Sequence, residues 1–459
     1  MTISNNIIMT LGCIISLVLG GLVILDIQTT ILLMIFLIWG YICFKNPTNL
    51  LYTLVFLIPF RDIHLISLFW VKNSLIFLLI MILIIKSWKG KINIERKINK
   101  ISILIFCFVL CIIISLFKSY YNIQTSMYDS LFTSINFTLT NILLFIIAKK
   151  FISTEDELKK LFKVVLCSFV VIAVLGIIQY YFESITILIP YVFSPYYYGR
   201  VTSTFDNPNY LGTFLSIGCG MWFIQMLNTK KKLNRILSGI SLLIIFLAVV
   251  FTYSRFSLVL SIVAIFLGIY LNLKSKKSKV LLLIIVPIGI YITMQLIIPF
   301  LLDYRMSKVY EGSSFQGSII QRQSDDMRFS GITAALEAIR QHPFGLGYGT
   351  FTNISSNYNT LGININTHNE YMRIWVELGF SGLICFALIS IMALIQGFKK
   401  INTTNNPIYM AFLIGMIIYA LGNFTLNSLE NIQLIGYFWV ILGVLTADSS
   451  KFKKSRKLE

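Results

Sequence analysis

Apolar runs of roughly 16 to 24 residues recur along the whole chain, about the length a helix needs to cross the hydrocarbon core of a bilayer. The shorter ones suit tilted, interfacial or re-entrant segments. In lipid the backbone must satisfy its own polar groups, which leaves helices or a closed barrel. The period-2 alternation of a barrel strand is missing, so the runs predict helices. Composition agrees: 57% hydrophobic, 12% charged and mean hydropathy +0.81 over 459 residues exclude a water-soluble fold. The expected fold is an all-α polytopic membrane protein, with residues 1–459 forming a single transmembrane domain.

Helices are expected at 6–25, 29–44, 48–60, 68–86, 101–117, 130–148, 162–182, 209–227, 235–252, 256–273, 279–302, 372–396, 407–425 and 431–446. That makes about 14 spans, and losing a pair from the short members at 29–44, 48–60 and 431–446 would leave 12. The net charge of +19 is an orientation signal rather than a nucleic-acid footprint. Basic clusters at Lys86 to Lys100, Lys149 to Lys160, Lys230 to Arg235, Lys274 to Lys279, Lys399-Lys400 and Lys451 to Lys457 fall between or after apolar runs. The positive-inside rule makes them cytoplasmic, with both termini on that side. Membrane lipids, and no nucleic acid, are the partners this pattern predicts. All seven cysteines lie within apolar runs, without a disulfide or metal pattern. The opening run to Leu25 lacks a basic n-region and a cleavage site, so it reads as a first membrane helix rather than a removed signal.

This topology gathers Arg61, His64, Arg200, Arg255, Arg305, Arg322, Arg328, Arg340, His342 and His368 on the outward side, where arginine is normally sparse. One outward loop, residues 303–367, is about 65 residues long, far above the usual connection length and suited to a lid or binding loop. Its stretch Glu311 to Gln323 reads as irregular. Phe329, Ile332, Leu336 and Ile339 then recur at helical spacing opposite Glu337 and Arg340, predicting an amphipathic helix that ends at Pro343-Phe-Gly-Leu-Gly-Tyr-Gly349. The loop closes on Asn366-Thr-His-Asn-Glu-Tyr-Met-Arg-Ile-Trp-Val-Glu-Leu-Gly379. Thr367 and Glu370 have capping-box spacing, which puts His368 at the first helical position, where the helix dipole favours a neutral ring.

Two further segments stand out. In Arg200-Val-Thr-Ser-Thr-Phe-Asp-Asn-Pro-Asn209, Asn207 suits an N-cap and Pro208 the N1 position; capping leaves Arg200 unexplained. Thr252-Tyr-Ser-Arg255 puts a guanidinium in a tight outward turn, where it either snorkels to headgroups or binds a ligand. Arginines converging outside a cell suit a phosphate or pyrophosphate, carried by a lipid rather than by a soluble nucleotide. Asp325-Asp326 reads as a solvated pair rather than a metal site, and His342 and His64 are not assigned as base. Glu377, about two and a half turns beyond His368, reads as a polar residue near the interface.

In this order these pieces resemble the O-antigen ligase and polysaccharide polymerase family of bacterial inner membranes. They are Arg200 to Asn209 with Phe205 and Asn-Pro-Asn, Thr252 to Arg255, Arg328 through Pro343 to Phe351, and His368-Asn-Glu-Tyr-Met with Glu377-Leu-Gly-Phe-Ser-Gly382. Ile332 departs from the pattern, which has an aromatic there, and residues 1–160 match in hydropathy alone. The resemblance implies a membrane-embedded, metal-independent glycosyltransferase of GT-C-like helical build, with no cofactor and an active site on the extracytoplasmic face of the cytoplasmic membrane. Its donor would be an oligosaccharide on undecaprenyl pyrophosphate. His368 would act as catalytic base; Arg255, Arg328, Arg200 and Arg322 would bind pyrophosphate; Asn207, Asn209 and Asn369 would support them. The resemblance also leaves room for a polysaccharide chain-length regulator as a protein partner. The preferred reading is a polymerase of O-antigen or capsule repeat units, since nothing identifies a lipid A core site. The alternatives are an O-antigen ligase acting on lipid A core and a lipid-linked oligosaccharide flippase. The flippase fits less well, because transport sites lie near the midplane between repeated halves.

Overall fold

The computed structural model describes residues 47–60, 68–88, 99–122, 128–182, 199–292, 295 and 314–447. The helices expected at 6–25 and 29–44, and His64, lie outside the described residues. In chain order the helices are α1 (Pro47–Leu57), α2 (Leu68–Trp88), α3 (Lys100–Asn122), α4 (Tyr128–Phe151), α5 (Glu155–Tyr181), α6 (Pro208–Asn228) and α7 (Lys232–Phe251). There follow α8 (Arg255–Asn272), α9 (Lys276–Ile292), α10 (Ser314–Gln341), the single turn α11 (Phe351–Ile354), α12 (Glu370–Thr404), α13 (Pro407–Gly422) and α14 (Ile432–Thr446). No strand occurs among the described residues, as the apolar runs require.

Among the described residues six helices, α3, α5, α6, α7, α8 and α12, are long and apolar enough to cross a membrane; α1, α13, α14 and part of α2 are shorter apolar helices. Of these, α13 and α14 sit deep in the bundle. Every residue of α14 from Gln433 to Thr446 is buried, as are most of those in α13, because a helix apolar on all sides has no preferred solvent face. Phe169 of α5, Phe214 of α6 and Tyr437 of α14 meet at this centre, with ring centroids 4.5, 5.0 and 5.6 Å apart. Phe77 of α2, Phe106 of α3, Leu243 of α7 and Ile284 of α9 are exposed outward, as lipid-facing residues would be.

Two boundaries differ most from the sequence reading. α5 begins at Glu155 rather than 162, on a capping box in which the Thr154 hydroxyl accepts from Glu157 N at 3.2 Å and the Glu157 carboxylate accepts from Thr154 N at 2.9 Å. Its first turns bury Leu158 and Leu161 and expose Lys159 and Lys160, so a charged run that reads as a loop is one face of a helix. α12 likewise continues through Lys399-Lys400, with Lys400 Nζ turned back to the Val444 carbonyl at 3.0 Å.

Four loops share one end of the bundle. Val201 N donates to Phe251 O at 3.1 Å, Tyr210 Oη to Asn427 O at 3.2 Å, Gln433 Nε2 to Thr204 O at 3.1 Å and Glu370 N to Asn423 O at 2.8 Å. The segments carrying Arg200, Arg255, His368 and Glu430 are therefore neighbours.

Candidate functional site

The first half of the site is built on α6 and α8. Asn207 caps α6, its Oδ1 accepting from Asn209 N at 2.8 Å, with Pro208 at the start, as its residue type predicts. Arg200 lies across this cap: Nε donates to Thr252 O at 2.8 Å and Nη2 to Asn209 Oδ1 at 2.7 Å. Ser254 caps α8, and Arg255, half-buried, opens that helix. The structure thus joins Arg200, Asn209 and the turn leading to Arg255, with Asn209 orienting Arg200.

The second half lies where α10 meets the start of α12. α10 begins at Ser314, within the stretch that reads as irregular, and its buried face keeps Ile339 of the predicted one but not Phe329 or Leu336. Ala334, Ala335 and Ala338 pack with Leu346, Phe351 and Val376, while Phe329 and Leu336 are exposed. Alanine allows the close approach that large side chains would prevent. Gly331 lies so near the Asn366 carbonyl that an added Cβ would stand 2.3 Å from its oxygen. Arg328 is one turn earlier on α10, and its charge acts on His368. The side chain of Arg322 lies outside the described residues, and so does that of Asp325; Asp326 is exposed.

The start of α12 also corrects the sequence reading. Thr367 and Glu370 do not form a capping box. Asn369 is the N-cap, its side chain accepting from Met372 N at 3.1 Å, while the Thr367 hydroxyl bonds Asn427 Oδ1 and Asn369 O, each at 3.0 Å. His368 precedes the helix, with φ +48. Left-handed backbone is uncommon for a residue with a Cβ. Among the described residues it occurs outside glycine at Ser203, Tyr253, His368 and Asn405, and the first three lie on the three site segments. Such strain gathers where surrounding structure fixes a functional geometry. Burial lowers the proton affinity of His368, the Arg328 guanidinium lowers it further, and Glu430 opposes them. The ring is therefore neutral at neutral pH, with desolvation the largest cause.

The residue the sequence reading missed is Arg373. It is 1% exposed, in the first turn of a membrane-spanning helix, and it engages three carboxylates. Nε and Nη2 donate to Glu370 Oε1 at 3.0 and 2.8 Å; Nη1 reaches Glu377 Oε2 at 3.2 Å and Glu430 Oε1 at 3.4 Å. Glu370 Oε2 accepts from Leu429 N at 2.8 Å, and Glu377 Oε1 from Phe351 N at 3.3 Å. Glu377 is thus buried and ion-paired. The spacing Glu370-x-x-Arg373-x-x-x-Glu377 inside an apolar helix carries this signal, since one helix face holds positions three and four apart.

Below this pair α12 breaks. Gly379 has φ +75, which frees the carbonyls of Val376 and Glu377; Leu346 N and Gly347 N take them at 2.9 and 3.0 Å. The Pro343 to Gly349 strap thereby ties the end of α10 to α12. His342, at that end, is exposed, with its ring edge-on to Tyr358 at 6.2 Å. The two halves of the site are linked through Tyr210, whose hydroxyl reaches Asn427, and through Asn427, which bonds both Thr367 and Asn366.

The fold is that of an integral membrane protein, with Arg200, Arg255, Arg328 and His368 on neighbouring segments as a candidate site. Residues 240–387 match the family model described as O-antigen ligase, which supports the resemblance and O-antigen ligase or polymerase-type activity in general. The match takes in Arg255, Arg322, Arg328, His368 and Asn369; Arg200, Asn207 and Asn209 precede it. A search of curated proteins gives no match.

Proposed function

We propose that this protein polymerises cell-surface polysaccharide, transferring a glycan from undecaprenyl pyrophosphate to the hydroxyl of an acceptor sugar on another lipid-linked repeat. The observation that carries this reading is the contact of α10 with the start of α12, where Gly331 lies against the Asn366 carbonyl and Arg328, one turn earlier, acts electrostatically on the half-buried His368. His368 accepts the proton of the acceptor hydroxyl, whose oxygen attacks the anomeric carbon. The bond from that carbon to the phosphate oxygen breaks, and the departing pyrophosphate keeps the electron pair. Arg328 and Arg255, with Arg200 and Arg322, neutralise that charge in the role a divalent cation often fills. Asn209 orients Arg200, and Asn207 and Asn369 cap the helices that carry the groups.

The test is incubation of purified protein with an undecaprenyl-pyrophosphate glycan, alone and with lipid A core. A ladder of lengthened lipid-linked product is expected, lost in His368→Ala with donor binding retained. Transfer to lipid A core alone would overturn the polymerase reading. The description of the matched family favours that ligase activity as the second reading. A flippase is disfavoured by polar residues crowded at one end of the bundle.

A further inference from the structure

We infer that Glu430 is a positioning residue for His368, its carboxylate anchored by Arg373 and tied to the segment that leads into the imidazole, where it supplies the counter-charge when the ring is protonated. Glu430 lies in the short turn Ser428–Glu430 between α13 and α14, beyond the residues matched by the family. One oxygen sits 3.4 Å from Arg373 Nη1. The other accepts from Asn366 Nδ2 at 3.3 Å and from Asn427 Nδ2 at 3.5 Å. Asn427 holds the next residue, Thr367, through its Oδ1. The two residues before His368 are thus tied to the turn that carries Glu430, and this clamp holds the imidazole in left-handed backbone.

Arg373 explains why the clamp is rigid. Glu370 and Glu377 come from its own helix, and Glu370 also takes Leu429 N, so the turn is fastened at Leu429 as well as at Glu430. At 34% side-chain exposure, Glu430 is the one of these three carboxylates that opens toward solvent, whereas Glu370 and Glu377 are sealed at 0% and 1%. Two charged groups act on the His368 ring from neighbouring elements: Arg328 from α10 and Glu430 from the turn. Behind Glu430 stand Arg373 and Glu370 of α12. During transfer the ring gains a proton; a carboxylate held on the turn tied to Asn366 and Asn427 stabilises the imidazolium through its charge, while the guanidinium serves the phosphate.

The inference rests on His368 acting as the base, and its test separates the two. The chain has three histidines, so a His64→Gln, His342→Gln background leaves one ring to follow by nitrogen-15 NMR in detergent. Glu430→Gln is expected to weaken proton binding at His368 by about three- to tenfold and to move the acid limb of the transfer profile to lower pH. It should also lower kcat with little change in donor KM. Should Glu430→Gln fail to fold, Glu430→Asp carries the test: its charge is drawn back, so the titration moves the same way by less. An unchanged His368 titration in either folded variant overturns the inference, since a merely structural role would leave the titration in place. Transfer that survives His368→Ala overturns the base assignment instead, while the titration still reads the coupling to Glu430.

Discussion

Gly345 and Gly379 meet backbone to backbone: a Cβ on Gly345 would stand 2.6 Å from the Gly379 nitrogen, and one on Gly379 would stand 2.8 Å from the Phe344 carbonyl carbon. Both also hold positive φ, +87 and +75. This contact lets the strap take up the carbonyls freed by the break in α12, and so fixes the end of α10 against the start of the helix that carries Arg373.

Alanine at either glycine is therefore expected to destabilise the protein by about 1–3 kcal/mol, since left-handed strain and a backbone clash coincide. Thermal unfolding in detergent reads this directly. Gly362, also at positive φ but with open space around it, is the control, and its alanine variant should lose less.

Arg373→Met leaves Glu370 and Glu377 buried without their cation. Breaking a buried ion pair from one side costs about 3–5 kcal/mol, so this variant should aggregate or unfold at markedly lower temperature than wild type. Arg373→Lys should recover part of the loss, because a single ammonium cannot reproduce a fork that reaches three carboxylates. Wild-type unfolding of Arg373→Met would remove the network from the account of stability.

The pH dependence follows from His368. Its folded-state proton affinity lies below the ordinary value of 6.5, so the unfolded chain binds more protons in the intervening range. The stability contributed by the neutral ring is then fully present above about 6.5 and is lost as pH falls through the lower folded value. Transfer should rise with pH across the same folded value and reach a plateau at neutral pH. Unfolding temperatures of wild type and His368→Gln, measured at acid and neutral pH, check the sign: their difference should shift in favour of wild type as pH rises.

Arg200→Lys should raise donor KM by roughly tenfold, as expected when a two-directional guanidinium fork is replaced by one ammonium. Asn209→Ala should act in the same direction by releasing Nη2 of Arg200. Steady-state transfer kinetics with a lipid pyrophosphate donor would detect both, and an unchanged KM in each would detach Arg200 from donor binding.

The sequence by itself determined the solvent, the element type and the chemical inventory. Long apolar runs can satisfy their backbone in lipid only as helices, and Asn207-Pro208 states a helix start that the structure repeats. His368 and its companion arginines stood out because charge is rare in such a chain. Which groups meet was decided by tertiary structure alone. Thr367 and Glu370 have the spacing of a capping box, yet Asn427 and Arg373 compete for them from elsewhere in the fold and win, leaving Asn369 as the cap. The buried face of α10 runs through alanines rather than Phe329 and Leu336, because it packs against Leu346, Phe351 and Val376 from other parts of the chain, and no single-helix periodicity encodes those partners. Glu430 lies 62 positions beyond His368 and becomes its neighbour only because α12 and α13 fold back to bring their loops to the same end of the bundle.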